Sequence, residues 1–117
     1  MKFIAVSGCT LVCQFGGTAV INTPPSTDVL IDNKGVYRGP LTISVTNSSA
    51  GGASANASGA GVLNPTAAYV QADGLFVVLE GDKCDVTVAG STSGGSATSG
   101  AEVVTIASAG QAVVLAE

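Results

Sequence analysis

The chain has 117 residues, long enough for one modest hydrophobic core and short for two, so residues 1–117 read as one domain. Only 10% of residues are charged, eight acids against four bases, and the net charge of −4 opposes a phosphate-backbone partner. With two tyrosines, three phenylalanines and no tryptophan there are few platforms for stacking bases, and no nucleic-acid partner is expected.

Mean hydropathy is positive, yet the excess comes from Ala and Val scattered among Gly, Ser and Thr. The longest apolar run, residues 75–79, falls far short of the roughly 20 residues a spanning helix needs. At the N-terminus Lys2 precedes an apolar run that stops after residues 3–6. A secretory h-region takes about 7–15 apolar residues. The run therefore reads as a first strand, and the protein is expected to be made in the cytoplasm without a signal peptide.

Helical spacing of apolar residues is almost absent and β-branched residues are abundant, so an all-β fold is expected. In chain order, strands are predicted over residues 3–6, 11–15, 18–21, 28–31, 41–46, 68–71, 75–79, 85–88, 102–107 and 111–115. In the 41–46 segment Leu41, Ile43 and Val45 alternate with Thr42, Ser44 and Thr46, which predicts odd positions in a core and even ones in water. Turns are expected at Gly16-Gly17, Pro24-Pro25, Asp32-Asn33-Lys34-Gly35, Gly39-Pro40, Asp73-Gly74 and Ala109-Gly110. Asp73-Gly74 is the best two-residue hairpin signal, because both central residues of a type I′ turn take positive φ.

Two stretches of Gly, Ala, Ser, Thr and Asn, residues 47–61 and 89–101, read as flexible linkers or exposed loops with nothing to bury. The alternative is tightly packed loops in which small side chains let backbones come close. Their shared composition, each between strand pairs, hints at a repeated plan.

Histidine is absent, which removes the usual general base, the Ser/His/Asp triad and the commonest metal ligand. Glu80, Asp82 and Asp85 form the only acidic cluster, and strand alternation would put Glu80 and Asp82 on one face, a spacing compatible with acid/base work. Solvated turn acids are the plainer reading, and no catalytic residue is assigned. The soft ligands are Cys9, Cys13 and Cys84. They are open to three readings, a three-thiolate metal site completed by water, Asp85 or a neighbouring chain, a disulfide, or buried thiols. No phosphate loop is expected, since Gly59-Ala60-Gly61 is not followed by a helix carrying Lys-Ser/Thr. The strand at 111–115 is a candidate for docking, with a core strand the plainer reading.

The segment Gly59-Ala60-Gly61-Val62-Leu63-Asn64-Pro65-Thr66-Ala67, continuing through Val70-Gln71-Ala72-Asp73-Gly74 to Val77-Val78-Leu79-Glu80-Gly81-Asp82, resembles the Gly-rich segment of PAAR-like proteins. Gly8-Cys9-Thr10-Leu11-Val12-Cys13-Gln14-Phe15-Gly16 is similar to the Cys-x-Phe-Gly opening of one branch of that group. These proteins cap the central spike of contractile injection machines such as phage tails, type VI secretion systems and extracellular injection devices. The resemblance implies a compact cone or small barrel-like arrangement of short hairpins assembled into a virion or injection-apparatus baseplate. Its implied partners are a trimeric spike protein, an effector and, transiently, the target membrane. No Pro-Ala-Ala-Arg tetrapeptide occurs here, and the family's metal site is rich in the histidine this chain lacks. A metal carried here, zinc or iron, would thus rest on Cys9, Cys13 and Cys84. Two other functions fit the composition: a homotrimeric virion decoration, head-fibre or adhesin module, and an enzyme built on Glu80, Asp82 and Asp85.

Overall fold

The computed structural model describes residues 2–48, 57–91 and 97–116. The fold is all-β, with no helix among those residues. In chain order the strands are β1 (Lys2–Phe3), β2 (Thr10–Cys13), β3 (Thr18–Ile21), β4 (Leu30–Ile31), β5 (Lys34–Gly35), β6 (Leu41–Ser48), β7 (Ala57–Leu63), β8 (Gln71–Ala72), β9 (Leu75–Phe76), β10 (Lys83–Ser91), β11 (Ala97–Ser108) and β12 (Leu115–Ala116).

Six of them form a nearly closed antiparallel barrel in the order β2-β11-β10-β7-β6-β3. Leu41, Ile43 and Val45 of β6 point into it with Val86 and Val88 of β10, and Val104 and Ile106 of β11. The alternation expected at 41–46 is thus realised, and these side chains keep 0–1% of their surface exposed. Each contributes about 1.5–3 kcal/mol through burial.

Six short strands form three two-stranded ribbons at one end of the barrel, β12 with β1, β4 with β5 and β8 with β9. The β8–β9 ribbon turns on Asp73 and Gly74 at φ +54 and +79, as the sequence predicts. The β4–β5 ribbon turns the same way on Asp32 and Asn33, at φ +54 and +62. Lys34 and Gly35, expected in the turn, belong to the strand instead.

Between the ribbons and the barrel, three extended segments close a triangle. Val6 bridges Val36, Arg38 bridges Val77, and Leu79 bridges Ile4. The backbone repeats one hydrogen-bond pattern three times around it. The Ala5 amide donates to the Val78 carbonyl at 2.7 Å, Val78 to Tyr37 at 3.0 Å, and Tyr37 back to Ala5 at 3.0 Å. A second cycle runs from Ser7 to Gly35, Gly39 to Phe76 and Glu80 to Phe3, each at 2.8 Å. A third ties Ile4 to Val114, Val36 to Val29 and Val77 to Val70, at 3.1–3.2 Å. The cycles give these largely buried segments the partners they need once water is excluded. The chain therefore has approximate three-fold symmetry about an axis through the triangle.

The triangle also separates two cores. Ala5 and Val78 face the barrel core with Tyr37 packed beside them. Ile4, Val6, Val36, Val77 and Leu79 face away, into a second core with Ala67, Ala72 and Ala116. The molecule measures 48 × 23 × 22 Å, its radius of gyration of 15.2 Å exceeding the roughly 13 Å of a sphere-like chain of this length.

The two small-residue stretches are not linkers over most of their described length. Residues 57–61 are strand in β7, and 89–91 and 97–101 are strand in β10 and β11. The reason is steric. A Cβ on Gly59 would lie 2.1 Å from the Thr87 carbonyl oxygen, and one on Gly61 would lie 2.9 Å from Val86 Cγ2. Glycine is required where the β7 and β10 backbones pass this close. The remaining parts of these stretches, 49–56 and 92–96, lie outside the described residues.

Candidate docking face

The ribbon end carries most of the large apolar side chains left in water. Val29, Leu30, Tyr69, Leu75, Phe76, Val113, Val114 and Leu115 are 37–80% exposed, and all sit on or beside the three ribbons. Repetition of the plan explains the clustering. Val29, Val70 and Val114 occupy equivalent places, each accepting one bond of the third cycle, and the residues flanking them face outward on each side of the triangle.

The predicted strand at 111–115 is mostly a turn. Gln111 Oε1 accepts the Val113 and Val114 amides at 2.6 and 2.9 Å, while its Nε2 donates to the carbonyls of Ile4 and Val114 at 3.0 and 2.8 Å. Only Leu115 and Ala116 pair, with β1. Ser26 does the same for the β4 ribbon, its Oγ accepting the Asp28 and Val29 amides at 3.2 and 2.9 Å. Val113 is left 74% exposed.

One side of the triangle differs. Arg38 stands where the other two segments have Val6 and Leu79. Its Nε donates to Asp73 Oδ2 at 3.0 Å, its Nη1 to the Pro24 carbonyl at 2.8 Å, and Ser26 Oγ donates to the same Asp73 oxygen at 2.7 Å. The hydroxyl of Ser26, then the Arg38 guanidinium, hold the Asp73 carboxyl below the ordinary carboxylate range. At another corner, an open groove of about 490 Å³ is lined by Lys2, Phe3, Glu80, Thr105 and Leu115.

The acidic cluster does not form an acid/base pair on one strand face. Gly81 takes φ +93, so residues 80–82 are a turn, with Asp82 buried, Glu80 half-buried and Asp85 exposed. Asp82 Oδ2 accepts the amides of Leu79 at 2.9 Å and Thr66 at 3.3 Å, and Oδ1 accepts the Thr66 hydroxyl. That carboxylate is spent on closing the turn. Glu102, not singled out by sequence, is a second buried acid. Its Oε1 accepts the Phe15 and Val103 amides at 2.9 and 3.1 Å and its Oε2 the Ser48 hydroxyl at 2.7 Å. A single acid inside a Gly/Ala/Ser-rich strand was its only sequence signal.

The three cysteines are free and half-buried. Cys13 on β2 and Cys84 on β10 flank Val104 of β11, two strand spacings apart, so their Cα atoms are separated by about 10 Å. A disulfide needs Cα atoms within about 7 Å. Cys9 lies before β2 at the barrel–triangle junction, its amide bonded to Val6. Among the described residues no three Cys, Asp, Glu or His side chains are grouped to hold a metal ion, so the expected three-thiolate set is not assembled. Burial raises the pKa of all three thiols, reinforced at Cys13 by Glu102 and at Cys84 by Asp85 and Cys13.

Comparison with protein-family models, with curated proteins and with solved structures finds no match.

Proposed function

We propose that this chain is a structural tip. It seats by its apolar, three-fold-like end on the trimeric central spike of a contractile injection machine, with the barrel directed away from the spike. The observation that carries the reading is the coincidence, at one end of an elongated molecule, of three cyclic sets of hydrogen bonds and a cluster of exposed apolar side chains. The 23 × 22 Å cross-section limits a patch at this end to about 400 Å², the size of the largest apolar patch on a typical monomer, which is often functional. Buried on both partners, this is about 800 Å², below the roughly 1,000 Å² of a stable specific interface, so this end alone makes a weak contact. Specificity then comes from matching a three-fold end to a three-fold partner, and area plays the smaller part.

The same feature weighs against a homotrimeric decoration or fibre module. A homotrimer assembles three chains about an axis, whereas here that axis runs through one chain. The buried, fully hydrogen-bonded Asp82 weighs against an enzyme on the acidic cluster.

Co-expression with a trimeric central spike protein of a contractile injection machine, followed by native mass spectrometry, tests the proposal. One chain per spike trimer is expected, with a monomer when the chain is alone. Self-trimerisation, or three chains per spike, would overturn it.

A further inference from the structure

Among the described residues, one strand boundary of the barrel has no register pair, while the β7–β10 boundary has a single one, Ala89↔Ser58. The barrel's other hairpins are laddered, β6–β7 from Leu41↔Leu63 to Ser48↔Ala57 and β10–β11 from Lys83↔Thr105 to Ser91↔Ala97. The hairpin formed by β2 and β3 is joined through residues 14–17, yet no register pair connects its strands. The outer edges of β2 and β3 are used by β11 and β6. Among the described residues, their facing edges form no backbone ladder with one another.

The core leaks at the same place. Five of the seven half-buried apolar side chains packed on the barrel core come from this hairpin and its approach, namely Cys9, Leu11, Cys13, Ala19 and Ile21. Their counterparts Leu41, Ile43, Val45, Val86 and Val88 are fully buried. Strand edges left in water ordinarily carry charge, proline or a bulge that discourages pairing. Residues 10–21 contain no charged residue and no proline.

From the unpaired seam and the leaking core together, we infer that the β2–β3 seam accepts a short extended peptide segment of a partner protein, which completes the barrel as a seventh strand. Recognition is by backbone hydrogen bonding, the mode of β-strand addition. Because Leu11, Cys13, Ala19 and Ile21 face in while Thr10, Val12, Thr18 and Val20 face out, the inserted strand must alternate, apolar residues inward and Thr, Ser or Val outward. It is uncharged, since no counter-charge lies on either edge. As β2 and β3 run in opposite directions, it is antiparallel to one and parallel to the other. β2 and β3 approach within 8 Å in the free chain, so insertion must part them to about 10 Å, two ladder spacings, opening from the end away from the tie at 14–17.

The test uses a peptide carrying the β6 sequence Leu-Thr-Ile-Ser-Val-Thr behind two solubilising lysines, and a control peptide of the same composition with its apolar residues consecutive. Residue-resolved amide exchange is read on the full chain. In the free monomer, the amides of residues 10–13 and 18–21 that do not face β11 or β6 should exchange at least about 100-fold faster than those of residues 84–88. The alternating peptide should slow them at least about tenfold and the control should not. Leu11→Lys, whose charge would be buried by insertion but can reach water in the open seam, should lose the effect. Should that variant fail to fold, the contrast between the two peptides decides. Seam amides already as slow as those of β10, equal protection by both peptides, or a dimer that fills the seam with a second copy would each overturn the inference.

Discussion

Replacing Gly59 with alanine separates a packed strand from a flexible linker by the sign of the effect. The new methyl would be placed 2.1 Å from the Thr87 carbonyl oxygen, 3.0 Å from its carbon and 3.1 Å from Val88 Cα, all backbone atoms that cannot rotate aside. An ordinary carbon–oxygen approach is about 3.3 Å or more, so β7 and β10 must part by about 1 Å. That strains the neighbouring Ser58↔Ala89 pairing, the one register pair the two strands make among the described residues. Overpacking of this kind costs about 1–3 kcal/mol, and a weakened buried backbone bond adds about 1 kcal/mol or more. A loss of about 3 kcal/mol is expected. With an unfolding entropy near 0.25 kcal/mol/K for a chain of this size, the melting temperature should fall by about 12 °C. Gly61→Ala would meet the Val86 Cγ2 methyl at 2.9 Å and the Asp85 carbonyl oxygen at 3.1 Å, a shallower overlap than at Gly59, and should cost less, about 1–2 kcal/mol. In a linker both changes would stabilise slightly, by about 0.4–1 kcal/mol, through the unfolded chain. Circular-dichroism melts of both variants decide, and an unchanged or raised melting temperature for Gly59→Ala would refute the packing account.

Asp82→Asn should lower stability by about 1–2 kcal/mol in urea unfolding, because the two amide bonds at Oδ2 lose their charge assistance and the Thr66 hydroxyl must turn from donor to acceptor. Asp73→Asn keeps a residue suited to positive φ while removing the charge that Ser26 and Arg38 hold. Since the folded carboxyl is depressed, its stabilisation is present above the ordinary carboxylate pKa and is lost as pH falls through the folded value. The wild-type and variant melting temperatures should therefore differ at pH 7 and converge on acidification below the usual carboxylate range. All three thiols, raised by burial, should resist iodoacetamide at pH 7 in the folded protein and react once denaturant is added, read by intact mass. Leu30→Asp and Val113→Asp, at side chains 52% and 74% exposed, should abolish co-purification with the proposed trimeric spike partner while shifting the monomer's melt by no more than about 2 °C.

The all-β class, the alternation of β6 and the Asp73-Gly74 turn were legible because each rests on neighbours in sequence. Strand ends in the small-residue stretches were not. Gly59 and Gly61 read as linker composition until β10 is placed beside them, a contact more than twenty residues away. The three-fold plan left one faint trace, since Val29, Asp32 and Val36 share their spacing with Val70, Asp73 and Val77. The third copy is divided between β12 and β1 at opposite ends of the sequence, so no repeat scan along the chain would join it. The acidic cluster lies in a turn, the plainer of its two readings, because Gly81 takes a left-handed conformation where alternation would need a strand; the burial of Asp82 against Leu79 and Thr66 had no local signal. The cysteines, close in number for two of the three, are set by strand order, and β11 lies between Cys13 and Cys84.

The single Arg38 that breaks the triangle has a consequence for how such a molecule would be seen and bound. On a partner with a true three-fold axis, the chain can seat in three orientations that differ only in where Arg38 falls relative to Val6 and Leu79. That degeneracy favours the bound state by RT ln 3, about 0.6 kcal/mol. It also means that an image reconstructed with three-fold averaging would blend guanidinium, valine and leucine into one density. Only a symmetry-free reconstruction would recover the chain as one asymmetric copy.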